Sequence, residues 1–126
     1  MSSTVERLES WNDHGYEAGT AAMVVRGPHT HGTEFITQPS AELQVGTITR
    51  HKGEMIKEHK HLHEGHEVIT VLIGKVIVSV NGKCVELIQG ESILLMEGWH
   101  SVEFVEDSTL LEARCGPYIN DKVYRE

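Results

Sequence analysis

From Glu42 to Cys115 the chain alternates short runs of β-branched and apolar residues with glycine-bearing turns, and nothing in this stretch sustains a helical period. The pattern predicts strands over 43–50, 54–62, 67–73, 75–80, 84–88, 92–96, 100–105 and 109–115. Asn81-Gly82, between Val80 and Lys83, predicts a two-residue hairpin because both positions tolerate positive φ. Strand 75–80 places Val76, Val78 and Val80 on one face and Ile77 on the other. That is more apolar surface than a sheet wetted on one side needs, so a second layer must cover it. Short antiparallel strands with no helices between them predict an all-β sandwich or barrel.

The flanks are less regular. Residues 1–20 are polar and follow neither period, so they read as an arm with a helical turn near Val5 to Trp11. Ala22 to Arg26 and Thr33 to Thr37 are candidate short strands, separated by the turn-prone RGPHTHG. The tail CGPYINDKVYRE opens on a Gly-Pro stop and is expected to wrap the outside of the barrel. The organisation expected is an N-terminal arm over 1–41, a barrel over 42–116 and a C-terminal tail over 117–126.

Composition narrows the function classes. A chain of 126 residues, 39% hydrophobic and 24% charged, is sized for one folded domain and therefore for one principal site. A net charge of -8 offers no attraction to phosphate backbones or anionic lipid, so neither nucleic acid nor membrane is an expected partner. No apolar run approaches the roughly twenty residues that span a bilayer. MSSTVERLES lacks the basic start and apolar stretch of a secretory signal, which makes the cytoplasm the default address. Cys84 and Cys115 lack the close pairing of a zinc ribbon or redox motif and are expected to be free, semi-buried thiols.

The chemistry concentrates in histidine. Four of the nine histidines, His59, His61, His63 and His66, fall within eight residues. Residues two apart on a strand share a face, so His59, His61 and His63 would line one side of KEHKHLHE. Glu67 opens the next strand after a short turn, which returns its carboxylate beside the rings. His100, starting the strand HSVEFV after the turn MEGW, is the natural distant partner. Three neutral imidazoles and one carboxylate leave open positions at an octahedral ion, a site suited to chemistry rather than to structure.

These residues resemble the two motifs of the cupin superfamily. In the first, His61-x-His63, three residues, Glu67, six residues and Gly74 follow the family's His-x-His, Glu, Gly spacing. In the second, Gly90, five residues, Met96-x-Gly98, one residue and His100 approximate Gly, Pro-x-Gly, His, with methionine at the proline position and one residue fewer before the histidine. Counting instead from Gly53 selects His59 and His61 as the pair. The spacing to Glu67 is set by a tight turn, whereas the loop before the histidines absorbs extra residues at little cost. That consideration favours His61, His63, Glu67 and His100 as ligands and leaves His59 as a pocket residue able to move a proton.

The resemblance implies a cupin-type double-stranded β-helix, a jelly-roll barrel, holding one divalent transition metal (Fe, Mn, Ni or Zn) and acting on a small polar or anionic molecule. Dioxygenase, isomerase, decarboxylase and lyase chemistry are all on that menu, with His59 and Glu67 as the catalytic candidates. The alternatives are a non-catalytic cupin that binds a sugar or small effector, and a metal-free sugar-nucleotide isomerase. Small cupins often pair, so a homodimer is expected. His29, His31, His51 and His66 read as solvent-facing residues. Glu112 and Arg114 form the polar face of the last barrel strand; an exposed salt-bridged edge is the safer reading, a cavity wall with Arg114 holding a substrate carboxylate the sharper one.

Overall fold

The computed structural model describes residues 3–9, 20–62 and 66–125. Its strands are β1 (Thr4–Glu9), β2 (Thr20–Arg26), β3 (Gly32–Phe35), β4 (Leu43–Arg50), β5 (Met55–His61), β6 (Glu67–Ile73), β7 (Lys75–Val80), β8 (Lys83–Ile88), β9 (Ser92–Leu95), β10 (His100–Phe104), β11 (Ser108–Cys115) and β12 (Lys122–Tyr124). Strands β4 to β11 match the pattern-based expectation to within one residue at each end. Asn81 (φ 49) and Gly82 (φ 83) form the β7–β8 turn with Val80 opposite Lys83, as a hairpin of this length requires.

Two five-stranded sheets, ordered β12-β5-β10-β7-β8 and β3-β4-β11-β6-β9, carry the barrel, and β1-β2 forms a separate ribbon. From β4 to β11 the chain crosses between the two sheets at every connection except the β7–β8 hairpin, which winds it as a double-stranded β-helix. Between the sheets lie Ile48, Ile69, Val71 and Leu110 from one side and Val76, Val78, Val102 and Phe104 from the other. Side chains of this size each stabilise the fold by about 1.5–3 kcal/mol when fully buried. This core occupies one end of the barrel and leaves the other end for polar groups.

Three expectations are corrected. Thr4–Glu9 is a strand paired with β2, not a helical turn; Leu8 is 45% exposed, and a thin ribbon without a buried face leaves no period-2 signature. Trp11 lies outside the described residues. The tail does not merely wrap the barrel: β12 adds to the edge of β5, with Lys122 opposite His61 and Tyr124 opposite His59. Cys84 and Cys115 are free, as expected, but both are exposed rather than semi-buried.

One irregularity positions the site. Along the β10–β5 pair the register runs His100↔His59 and then Val102↔Ile56, so β5 contains one extra residue between Ile56 and His59. A bulge of this kind rephases the strand. Ile56 packs against the core cluster and His59 is buried in the same interior, which strict alternation over an odd spacing would forbid.

Candidate metal centre

Downstream of the bulge, ordinary alternation keeps His59 and His61 on one face, and the β10 register sets His100 directly across from His59. One ligand atom from each of His59, His61 and His100 lies within 4.8 Å of the others. The ring centroids are separated by 5.3 Å (His59 to His61), 4.3 Å (His59 to His100) and 5.8 Å (His61 to His100). Glu67 projects from the opposite sheet, and its Oε1 lies 3.2 Å from Nε2 of His100. Of the four expected ligands, His61, Glu67 and His100 therefore converge. His63 lies outside the described residues, and His59, expected beside the site, is a member of the triplet itself.

The orientation of two rings is fixed from behind. Nδ1 of His59 donates to the carbonyl of Lys57, a residue of the bulge, at 2.8 Å. Nδ1 of His61 lies 2.8 Å from Oδ1 of Asp121, which is 4% exposed, and 3.2 Å from Nη1 of Arg114. A single ring nitrogen cannot donate to the first and accept from the second. Donation to a buried carboxylate is the shorter, charge-assisted contact, so Nδ1 carries the proton and Arg114 faces Asp121 through Nη2 at 3.9 Å. In both rings the proton on Nδ1 leaves the Nε2 lone pair available.

Burial also keeps these rings in the ligating form. Desolvation lowers the His59 pKa to about 4 despite the opposing hydrogen bond to Lys57, and lowers that of His61 against the pull of Asp121. Neutral imidazoles with tethered Nδ1 atoms are the usual presentation of histidine to a metal, and the donor set fits a divalent transition ion.

Behind Glu67 stands a second carboxyl. Glu112 lies on β11, two residues before Arg114, and shares a hydrogen bond with Glu67. Burial and then the adjacent Glu67 charge push Glu112 up to about 7. Burial alone would raise Glu67 as well, but hydrogen bonds from His100 and Glu112 carry it down to about 2. The two carboxyls titrate as a pair, with Glu112 the member pushed towards its protonated form.

A cavity of about 210 Å³ adjoins the three histidines. Its polar wall includes Arg50, Glu67, Glu112 and Arg114, and its apolar wall includes Phe35 and Tyr118. Arg114 thus lines the cavity, which favours the sharper of the two readings of β11. The sequence pattern did not single out Asp121: it follows a Gly-Pro stop in a polar tail, and only the short alternation Lys122-Val123-Tyr124 hinted at a strand there.

The family model for the cupin domain matches residues 46–111, just over half of the chain and the span that carries His59, His61, Glu67 and His100. The chain belongs to the cupin family. Solved cupins confirm the jelly-roll fold. An RmlC-like cupin from Desulfovibrio desulfuricans is 22% identical with a TM-score of 0.62, covering 69% of this chain and 82% of its own. The cupin domain of Schizosaccharomyces pombe Cnp3 is 14% identical with a TM-score of 0.62 and covers 91% of this chain and 88% of its own. A salicylate 1,2-dioxygenase variant from Pseudoaminobacter salicylatoxidans is 15% identical with a TM-score of 0.62, covering 71% of this chain and 29% of the enzyme. No curated protein matches the chain in sequence. Among the described residues of this cupin, no helix is long and apolar enough to cross a membrane.

Proposed function

We propose that this cupin is a metal-dependent enzyme acting on a small anionic substrate, with His59, His61 and His100 as ligands and Glu67 as the fourth donor. The observation that carries this reading is the convergence of three buried or half-buried imidazoles, two of them tethered through Nδ1, on a cavity that also holds arginine. In this assignment His59 takes the place that motif spacing gave to His63.

A bound divalent ion of the Fe, Mn, Ni or Zn class would supply Lewis-acid polarisation of a substrate oxygen. The chain's own groups divide the remaining work. The Arg114 guanidinium offers a planar pair of donors to a substrate carboxylate. Arg50, held by Thr33 Oγ1 at 3.2 Å and by the Thr49 carbonyl at 3.0 Å, adds positive charge to the same cavity. Glu112 lines the cavity, and burial beside Glu67 pushes its carboxyl towards the protonated form, which suits it to deliver a proton. His59 serves as ligand rather than base. At about 210 Å³ the cavity is smaller than the roughly 300–1,000 Å³ of drug-sized pockets, which suits a compact substrate.

Elemental analysis of purified, untagged protein beside His59→Ala and His61→Ala variants tests this directly, with thermal melting before and after chelation and a turnover screen on small carboxylates. Near-stoichiometric metal that both variants lose, a melting temperature that falls on chelation and turnover that needs the ion are expected. Protein that stays metal-free after reconstitution with Fe(II), Mn, Ni and Zn would overturn the reading in favour of a metal-free isomerase or binding module. Metal without turnover on any small carboxylate points to the binding module.

We further propose that the chain pairs with a second copy of itself through the outer face of the β3-β4-β11-β6-β9 sheet. Val45, Ala113, Val68 and Leu94 occupy one register row across four adjacent strands, and Val68 and Leu94 are 37% and 49% exposed. An apolar row across a sheet face is a common seam between protomers. Light scattering on wild type and Val68→Glu/Leu94→Glu tests it: a dimer that becomes a monomer supports the surface, and a monomeric wild type removes it.

A further inference from the structure

At the far end of β4 and β5 lies a second group of metal-ligating side chains. His31 ends the loop before β3, and His51 and Glu54 bracket the β4–β5 turn. One ligand atom from each lies within 4.8 Å of the others. Nε2 of His31 is 2.7 Å from Oε1 of Glu54, and the His31 and His51 rings stack with centroids 4.4 Å apart and planes 15° from parallel. Glu54 precedes His59 by five residues of extended chain, about 16 Å at the usual strand rise, so the two groups cannot share an ion.

The turn that presents two of these ligands is firmly built. The backbone N–H of His51 donates to Glu54 Oε1 at 2.7 Å, and that of Glu54 returns to the His51 carbonyl at 3.0 Å. Lys52 N–H donates to Asp107 Oδ1 at 2.8 Å and Gly53 N–H to the Phe104 carbonyl at 2.8 Å. Gly53 sits at φ +90, where a side chain would be strained. A carboxylate already oriented by its own turn loses little freedom on meeting a cation.

An exposed ion pair is the plain alternative for His31 and Glu54, whose side chains are 46% and 39% exposed, but such pairs stabilise a fold weakly. It also gives no reason for the third group: His51 stacks on His31, and two protonated rings at that distance would repel. A cation explains all three together, because it takes the place of the proton between His31 and Glu54 and draws on the His51 ring as well. Two imidazoles and one carboxylate form a donor set for Zn²⁺ and its neighbours among transition ions, with water completing the shell.

We infer that His31, His51 and Glu54 form a second, solvent-exposed transition-metal site that clips the loop before β3 to the β4–β5 turn. The probe is Zn²⁺ titrated into the full chain by calorimetry, with equilibrium dialysis for stoichiometry. Wild type should bind one equivalent more than His31→Ala, and His59→Ala should retain that equivalent. Glu54→Gln, which preserves an oxygen acceptor for the His51 N–H, should weaken the site at least tenfold, and His66→Ala should leave it unchanged. Zn²⁺ should also raise the melting temperature of His59→Ala more than that of His31→Ala/His59→Ala. Equal stoichiometry in wild type, His31→Ala and Glu54→Gln would overturn the proposal. So would loss of the equivalent in His66→Ala. Failure of the His59, His61 and His100 site is a separate outcome, because then His31→Ala alone abolishes binding.

Discussion

His59 on β5 and His100 on β10 stand directly opposite each other in the antiparallel register, with ring centroids 4.3 Å apart. Cross-strand partners are the closest side chains two strands can offer. An ion held between them therefore depends on the strand pair, and the strand pair gains from the ion.

His59→Ala accordingly should cost twice. Metal occupancy should fall below about a tenth of wild type, and the metal-stripped variant should still lose about 2 kcal/mol because a 4% exposed ring is replaced by a void. Elemental analysis and urea unfolding of the apo-protein read the two effects separately. Undiminished occupancy would return His63 to the ligand set.

Asp121→Asn isolates the tether on His61. Asparagine keeps the shape of the aspartate but removes the charge that holds the Nδ1 proton, 2.8 Å away. Loss of such an outer partner typically weakens metal affinity 10–100-fold, and the same range is expected here. Competition with a chelator of known affinity measures it. An affinity unchanged within twofold would mean that Arg114 or the β12 backbone suffices to hold the ring.

What could be read from the sequence divides along physical lines. The barrel strands were legible because alternation records burial, and Asn81-Gly82 because few other pairs accept its backbone angles. His61, Glu67 and His100 were legible as residues on predicted strand ends. The placing of His59 directly across from His100 was not, because it turns on a bulge between Ile56 and His59 that period-2 reasoning cannot locate. Asp121, and the pairing of Glu112 with Glu67, were opaque for a different reason: a buried carboxyl looks like a surface one until its long-range partner is known. The β1 ribbon was misread because neither of its faces is buried enough to leave a pattern.

Glu112→Gln should change how stability depends on pH. With its folded pKa pushed from 4.5 to about 7, Glu112 binds a proton in the folded chain that the unfolded chain has released, so stability from this group falls as pH rises between those values. The effect is at most roughly 3 kcal/mol and smaller where Glu67 shares the proton. Glutamine mimics the protonated acid and cannot ionise, so metal-stripped Glu112→Gln should gain on wild type between pH 5 and pH 7.5 in parallel thermal melts. A constant difference across that interval would place the shared proton elsewhere.

Gly74→Ala should be among the most damaging small changes in the barrel. Gly74 joins β6 to β7 at φ +97, and an added Cβ would lie 2.1 Å from Ser108 Oγ and 2.5 Å from the Asp107 carbonyl oxygen. Ser108 cannot easily yield: it is 3% exposed, accepts from the Lys75 N–H at 3.0 Å and donates to the Glu106 carbonyl at 2.7 Å. Backbone strain alone costs about 1–2 kcal/mol for a non-glycine residue at such angles. Gly90→Ala supplies the control, because Gly90 has φ +88 and nothing within 4 Å of the added carbon. Gly90→Ala should therefore show the strain by itself, and Gly74→Ala should exceed it by about 2 kcal/mol or more through the broken Ser108 contacts. Urea unfolding of the two variants decides the point, since equal losses would mean that the β6–β7 corner moves freely enough to admit the methyl group.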